Sequence, residues 1–258
     1  MLTSCPGEIA WIAWQKKKMT TDTYKFRKSD FLDFMKKLGN DSVDLILTDP
    51  PYVVSRETRF HQSSDTNKFS VINMEFGEWD KQEVDLPAFA REAYRVLKKK
   101  GTLIVFYDLW KMNKLADIMR LVKFKQIRLI EWLKTNPVPI NSKLNYLTNA
   151  REIAVLGVKG GSPTFHSLYD NGMYHYPIPG GKRYHPTQKP MELMRDLIFK
   201  HSNEGEMVID PFMGSGTTAV AAIVCKRSFA GCDINEEYID IAKARMKKYD
   251  FFDQTMIV

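Results

Sequence analysis

The chain has 258 residues, 44% of them hydrophobic and 27% charged, which is too apolar for a disordered polymer and enough for one sizeable α/β core. A net charge of +7 favours a polyanionic partner, since basic side chains that neutralise phosphates release counterions; a basic protein with no such partner is the bland alternative. Cys5, Cys225 and Cys232 form no CxxC spacing and are odd in number, so neither a disulfide framework nor a zinc site is supported, no metal is expected, and a reducing cytoplasm is the expected location.

No apolar run approaches the roughly 18 residues of a membrane span, so no membrane partner is expected. Residues 1–18 place GEIAWIAW before Lys16, Lys17 and Lys18, the reverse of a secretory signal. Residues 1–23 are therefore set apart as an N-terminal extension, either an upstream-start segment or a short surface arm.

The core is expected to begin with a short strand at Tyr24–Phe26. FLDFMKKL places Phe31, Phe34, Met35 and Leu38 at helical spacing, and Gly39-Asn40 ends that helix as a C-cap would. VDLILTDPPY follows. Its apolar run with a hard proline stop is the pattern of a strand buried on both faces of a parallel sheet, and it places Asp49 at the carboxyl end, where open α/β sheets bind ligands.

Residues 53–80 lack a sustained period and read as a long mobile or functional loop. LPAFAREAYRVL restores a helix and GTLIVFYD a buried strand; Lys111–Leu121 is a further helix. IRLIEWLK and REIAVLGVKG, close in sequence, are predicted to pair as a long hairpin. From 160 to 184 the chain is rich in Gly, Pro, Tyr and His, a composition that suits base stacking and phosphate contact or, alternatively, a surface excursion whose aromatics pack back on the core.

HPTQKP at 185–190 precedes a helix at Met191–His201. EMVIDPFMGSGTTAVAA then runs strand, glycine turn, helix. Gly214-Ser215-Gly216 lacks the third glycine of a dinucleotide fingerprint, so a pyrophosphate is not the obvious ligand; a helix N-terminus behind two glycines suits a carboxylate or another polar group. SFAGCDIN supplies the next strand, and its Asp233 stands about 20 residues beyond the turn, the separation that places an acid near ribose hydroxyls. A last helix starts at Glu236.

TDPPY, HPTQKP and DPFMGSGTT, in this order, resemble the amino-group DNA methyltransferases that use S-adenosylmethionine, in the permuted β-type arrangement where the catalytic motif precedes the glycine motif. The similarity covers about residues 24–250, and 134–160 is similar to the family's intermediate motifs. The resemblance implies a Rossmann-like class I methyltransferase fold: a mostly parallel seven-stranded sheet with a β-hairpin at one edge and helices on both faces, in one domain spanning 24–258. It also implies methyl transfer to adenine N6 in a short DNA target after base flipping, with a companion restriction enzyme and a homodimer as further expectations.

An exocyclic amine is a poor nucleophile because its lone pair is delocalised into the ring. Asp49 can accept one amino hydrogen and the Pro50 carbonyl another, Pro51 helps to fix the backbone, and Tyr52 can stack on the extruded base. By resemblance, Phe212, Gly214, Ser215 and Gly216 form the methionine-binding turn, Asp210 meets the amino group, Thr217 or Lys189 the carboxylate, and Asp233 the ribose. Asp30 would receive the cofactor's adenine amine, although an N-cap role for it is nearly as well motivated. Asp before Pro-Pro-Tyr favours adenine, where Ser would mark cytosine N4; a cytosine enzyme and a catalytically idle DNA-binding subunit are the alternatives.

Target recognition is assigned to an insertion at about 160–184 together with the loop 53–80. Arg56, Arg59, His61 and Lys68 are candidates for phosphates, and Tyr174, His175, Arg183 and His185 for the target. So small a region fits a short site and tolerance of single-stranded DNA, where flipping costs less.

Overall fold

A computed structural model describes residues 24–51, 84–137, 149–180, 184 and 188–255 of the chain. In chain order its elements are β1 (Tyr24–Lys28), α1 (Phe31–Lys36), β2 (Val43–Thr48), α2 (Leu86–Val96), β3 (Leu97–Tyr107), α3 (Met112–Leu121) and β4 (Lys125–Lys134). There follow β5 (Arg151–Val158), β6 (Met173–Tyr176), α4 (Met191–His201), β7 (Met207–Asp210), α5 (Thr217–Val224), β8 (Ser228–Asp233) and α6 (Glu236–Thr255).

All strands join one sheet in the order β1-β8-β7-β2-β3-β5-β4-β6. β5 runs antiparallel to both of its neighbours, and the other pairs are parallel. The expected hairpin is therefore present as β4–β5, but among the described residues the sheet has eight strands, not seven, because β6 adds itself outside the hairpin. Four residues of MYHY inside a Gly- and Pro-rich stretch give too short a period to be read from sequence.

The two faces of the sheet are covered by different helices. Leu45 and Leu47 of β2 and Ile104 and Phe106 of β3 share one core with α4, α5 and α6. Leu103, Val105 and Tyr107 of β3 turn to the other face, against α1, α2 and α3. The alternation follows from the two-residue side-chain period of a strand, and burial on both faces explains why these strands read as unbroken apolar runs. The helix N-termini are fixed locally: Asp85 caps α2 by accepting from Ala88 N at 3.0 Å. One cap differs from expectation. α1 ends at Lys36 with Lys37 as C-cap, and the left-handed residue after it is Asp41 (φ 50°) rather than Gly39 or Asn40.

Because β2 hands the chain to β3 on one side while β7 hands it to β8 on the other, the strand order reverses between β2 and β7. The carboxyl ends of these two strands are the switch point, where open α/β sheets form a crevice.

Gly216 shows how tightly the helices behind that crevice pack. It caps α5 in a left-handed conformation (φ 81°), and a Cβ there would lie 2.6 Å from the Cβ of Ala242 on α6. Gly216→Ala combines a strained φ with overpacking and is expected to cost about 2–4 kcal/mol, checked by urea denaturation; a midpoint equal to wild type would contradict this packing.

Candidate active site

Four acids stand at one edge of the sheet. Asp30 follows β1, Asp49 follows β2, and Asp210 and Asp233 end β7 and β8. Asp30, Asp210 and Asp233 all lie near the buried thiol of Cys232, which burial first and their negative charges second push well above its ordinary value. Parallel strands deliver their last residues to the same edge, so a sequence rule about strand ends becomes a cluster in space.

At the end of β2, Asp49 is held from one side only. Its Oδ2 accepts from the Nζ of Lys189 in a direct ion pair, whereas its Oδ1 is buried and has no hydrogen-bond partner among the described residues. The Lys189 side chain is only 5% exposed, and its ammonium also meets Glu152 Oε2 at 3.0 Å and lies 5.0 Å from the ring centroid of Phe106. Glu152 in turn is paired with Lys134 at 2.8 Å. Burial raises the Asp49 carboxyl above its ordinary value, with Lys189 opposing and Glu152 adding to the rise. Glu152 behaves oppositely: burial would raise it, but Lys189 and Lys134 together hold it below its usual range.

Glu152 and Lys134 are functional candidates that the motif reading missed. The signal was an acid beside the start of an apolar strand. β5 is antiparallel, so its first residues, unlike those of its neighbours, lie at the carboxyl edge beside Asp49.

Asp210 is gripped by three donors at the end of β7. It is 3% exposed, its Oδ1 accepts from Thr48 Oγ1 at 2.6 Å and from Phe212 N at 3.0 Å, and its Oδ2 accepts from Thr218 Oγ1 at 2.6 Å. With donors from β2, the glycine turn and α5 on its two oxygens, it ties the halves of the crevice together. Burial pushes its carboxyl up to about 6.

The glycine turn is held from two further directions. Asp233 Oδ2 accepts from Gly214 N at 2.9 Å and its Oδ1 from Asn235 N at 2.8 Å. From α6, Arg245 Nη1 donates to Ser215 O at 2.7 Å, to Ser215 Oγ at 3.1 Å and to Thr217 Oγ1 at 3.3 Å, and its guanidinium lies 4.9 Å from the ring of Tyr184. Gly214 itself is left-handed (φ 48°), and a Cβ placed on it would meet nothing within 4 Å, so the turn leaves room for a ligand beside its backbone. Phe212, half-buried, packs with Phe31 at 4.9 Å between centroids and with Phe89 at 6.0 Å.

Of the other expected site residues, Asp30 shares this edge. Asp30 realises its capping role, its Oδ1 accepting from Leu32 N at 2.8 Å. Tyr174, expected at the target, is 6% exposed: on β6 it faces inward, with its hydroxyl accepting from Lys200 Nζ at 3.1 Å and that ammonium 4.3 Å from its ring. His175, next on the strand, is exposed. The insertion itself divides. β6 runs parallel to β4, so Tyr176 and Ile178 come to the edge that carries Asp49, whereas Phe165, Leu168 and Tyr169 precede its start at the opposite edge. Tyr52, Arg56, Arg59, His61, Lys68, Arg183 and His185 lie outside the described residues, as does the loop 53–80. Among the described residues no group of acids, histidines and cysteines is arranged to hold a metal ion, and no helix is long and apolar enough to cross a membrane.

A mostly parallel α/β sheet with a glycine turn and an acid-bearing strand end facing each other across its switch point is the class I methyltransferase fold. The chain belongs to the DNA methylase family, whose model matches residues 43–171 and 163–244. It is 30% identical over 243 residues to the type II methyltransferase M2.DpnII of Streptococcus pneumoniae, covering 85% of this chain and 88% of that protein. Among solved structures it resembles the M1.HpyAVI–SAM complex (TM-score 0.65, 26% identity, 86% of this chain and 99% of that one). The cytosine-N4-specific PvuII DNA methyltransferase shares the fold (TM-score 0.68, 17% identity, 90% and 94% coverage).

The buried Asp210 gives stability a pH signature. Its folded value, about 6, lies above its ordinary 3.8, so protonation favours the folded state. The contribution is fully present below the ordinary value and is lost as pH rises through about 6. Relative to Asp210→Asn, the wild type is expected to lose stability between those two pH values, measured by parallel denaturant titrations; a constant difference across that window would contradict the assignment.

Proposed function

We propose that this DNA methyltransferase moves a methyl group from S-adenosylmethionine to the N6 amine of adenine in a short DNA target. The observation that carries the reading is the Asp49 carboxylate, with one oxygen clamped by Lys189 and the other buried without a donor among the described residues. A buried acceptor with no partner costs free energy, and an amino group entering the crevice supplies the missing donor.

The residues divide the work by position. Asp49 Oδ1 accepts one amino hydrogen and the Pro50 carbonyl the other, which favours a pyramidal nitrogen whose lone pair is free to react. Pro51 limits the backbone after it, and Tyr52 would stack on the base. S-adenosylmethionine, when bound, supplies an electrophilic methyl group. The open space beside Gly214 fits a ligand close to the turn, Asp233 retains acceptor capacity for ribose hydroxyls beyond its bonds to backbone N–H groups, and Phe212 offers an apolar wall. Asp rather than Ser before Pro-Pro supports adenine over cytosine N4. The likeness to type II methyltransferases supports work beside a restriction endonuclease, and the exposed Leu129, Leu168, Tyr169 and Phe199 support association of two copies.

Incubation of DNA with tritiated S-adenosylmethionine, followed by nucleoside chromatography, tests the reading. Label is expected in N6-methyldeoxyadenosine, with Asp49→Ala reduced by about 10²-fold or more. Label in N4-methyldeoxycytidine would overturn the choice of base, and equal incorporation by Asp49→Ala would overturn the role of Asp49. Single-stranded oligonucleotides of matched sequence are expected to be methylated as well, because no pair has to be broken; double-strand-only activity would contradict that.

A further inference from the structure

Beyond Asp49 itself, the crevice contains a line of alternating charges drawn from four separate parts of the chain: Asp49 after β2, Lys189 before α4, Glu152 on β5 and Lys134 on β4. Exposed ion pairs contribute little, but this line is largely withdrawn from water, its central ammonium is 5% exposed, and Lys134 and Lys189 lie against the rings of Trp132 and Phe106. Replacing such a row by apolar side chains would avoid the desolvation cost, so stability alone does not account for it.

We propose that Lys189 and Glu152 are positioning residues for Asp49: Lys189 locks one carboxylate oxygen so that the other faces the target amine, and Glu152 holds Lys189 in place while sharing its charge. The inference rests on the proposed role of Asp49 and extends it to two residues that do not touch the amine. Two requirements explain the pair. A carboxylate that rotated freely would present either oxygen, and pinning Oδ2 leaves a single acceptor in a fixed direction. A buried carboxylate without a cation nearby takes up a proton, and a protonated Asp49 would no longer present two acceptor oxygens. An ammonium given to Asp49 alone would hold it charged but make it a weaker acceptor; Glu152 moderates that pull. Among the described residues a further acid near Asp49 is Asp210 on β7, which Thr48, Thr218 and Phe212 N already hold.

The consequence is a pair of opposite pH effects. The single-turnover rate of methyl transfer is expected to fall on the acid side as Asp49 takes up a proton. Lys189→Met is expected to move that acid limb up by about 1–3 pH units, Lys189→Arg to restore it in part, and Glu152→Gln to move it down. At neutral pH Lys189→Met should be slower than wild type and recover as pH is raised. Dissociation constants for S-adenosylmethionine, measured by calorimetry, should stay within about threefold of wild type, and far-UV circular dichroism checks folding. A general loss of rate in both variants with the acid limb unmoved would overturn the proposal. So would Lys189→Met weakening S-adenosylmethionine binding more than tenfold with an unmoved rate profile, the result expected if Lys189 holds the cofactor carboxylate instead. Asp49→Ala separates the two levels: if it is fully active the role of Asp49 fails, and if it is inactive while the acid limbs coincide only the positioning pair fails.

Discussion

The site depends on one ammonium buried between two carboxylates. Lys189 arrives on the short segment before α4, Asp49 on the end of β2 and Glu152 on β5, so three distant stretches of chain meet at a single charge. Lys189 is almost completely buried and would be costly without both partners; each carboxylate would be driven towards its neutral form without the ammonium. The arrangement is therefore all-or-nothing, and it places Asp49 with one oxygen spoken for and one left to accept.

The opposite wall of the crevice is tied to this one through Asp210. Its carboxylate accepts from Thr48, one residue before Asp49, and from Thr218 on the helix behind the glycine turn. A displacement of the turn is thus carried to the strand that bears Asp49 through two short hydrogen bonds. Arg245 and Asp233 hold the same turn from the outside, and Gly216 lets α6 approach closely enough for Arg245 to reach it. Asp49 is thereby set by the switch point as a whole, through groups on β2, β7, α5 and α6.

How much of this was legible in the sequence depended on range. Buried parallel strands announce themselves as apolar runs, and VDLILTDPPY and EMVIDPFMGSGTT located both walls of the crevice because strand ends, proline stops and glycine turns are local signals. β6 was invisible, since four residues among glycines and prolines carry no period, and its inward-facing Tyr174 was consequently read as a target contact. Asp30 showed the ambiguity of a single acid before a helix, and its capping bond is present. Lys189 stands inside a legible motif, but a sequence does not show which carboxylate an ammonium meets across 140 residues. Glu152 is illegible for a similar reason: it reaches the carboxyl edge because β5 is antiparallel, and there it meets Lys134 at the end of β4, both tertiary facts.

A structure of the enzyme with a target oligonucleotide and a non-reactive S-adenosylmethionine analogue measures the central contact directly. The distance to determine runs from the amino nitrogen of the extruded adenine to the two oxygens of Asp49. The expected result is about 2.8–3.0 Å to Oδ1, with Lys189 still on Oδ2 and Glu152 still on Lys189. An amino nitrogen beyond hydrogen-bond reach of Asp49, or Lys189 withdrawn from it to the analogue's carboxylate, would contradict this view of the site.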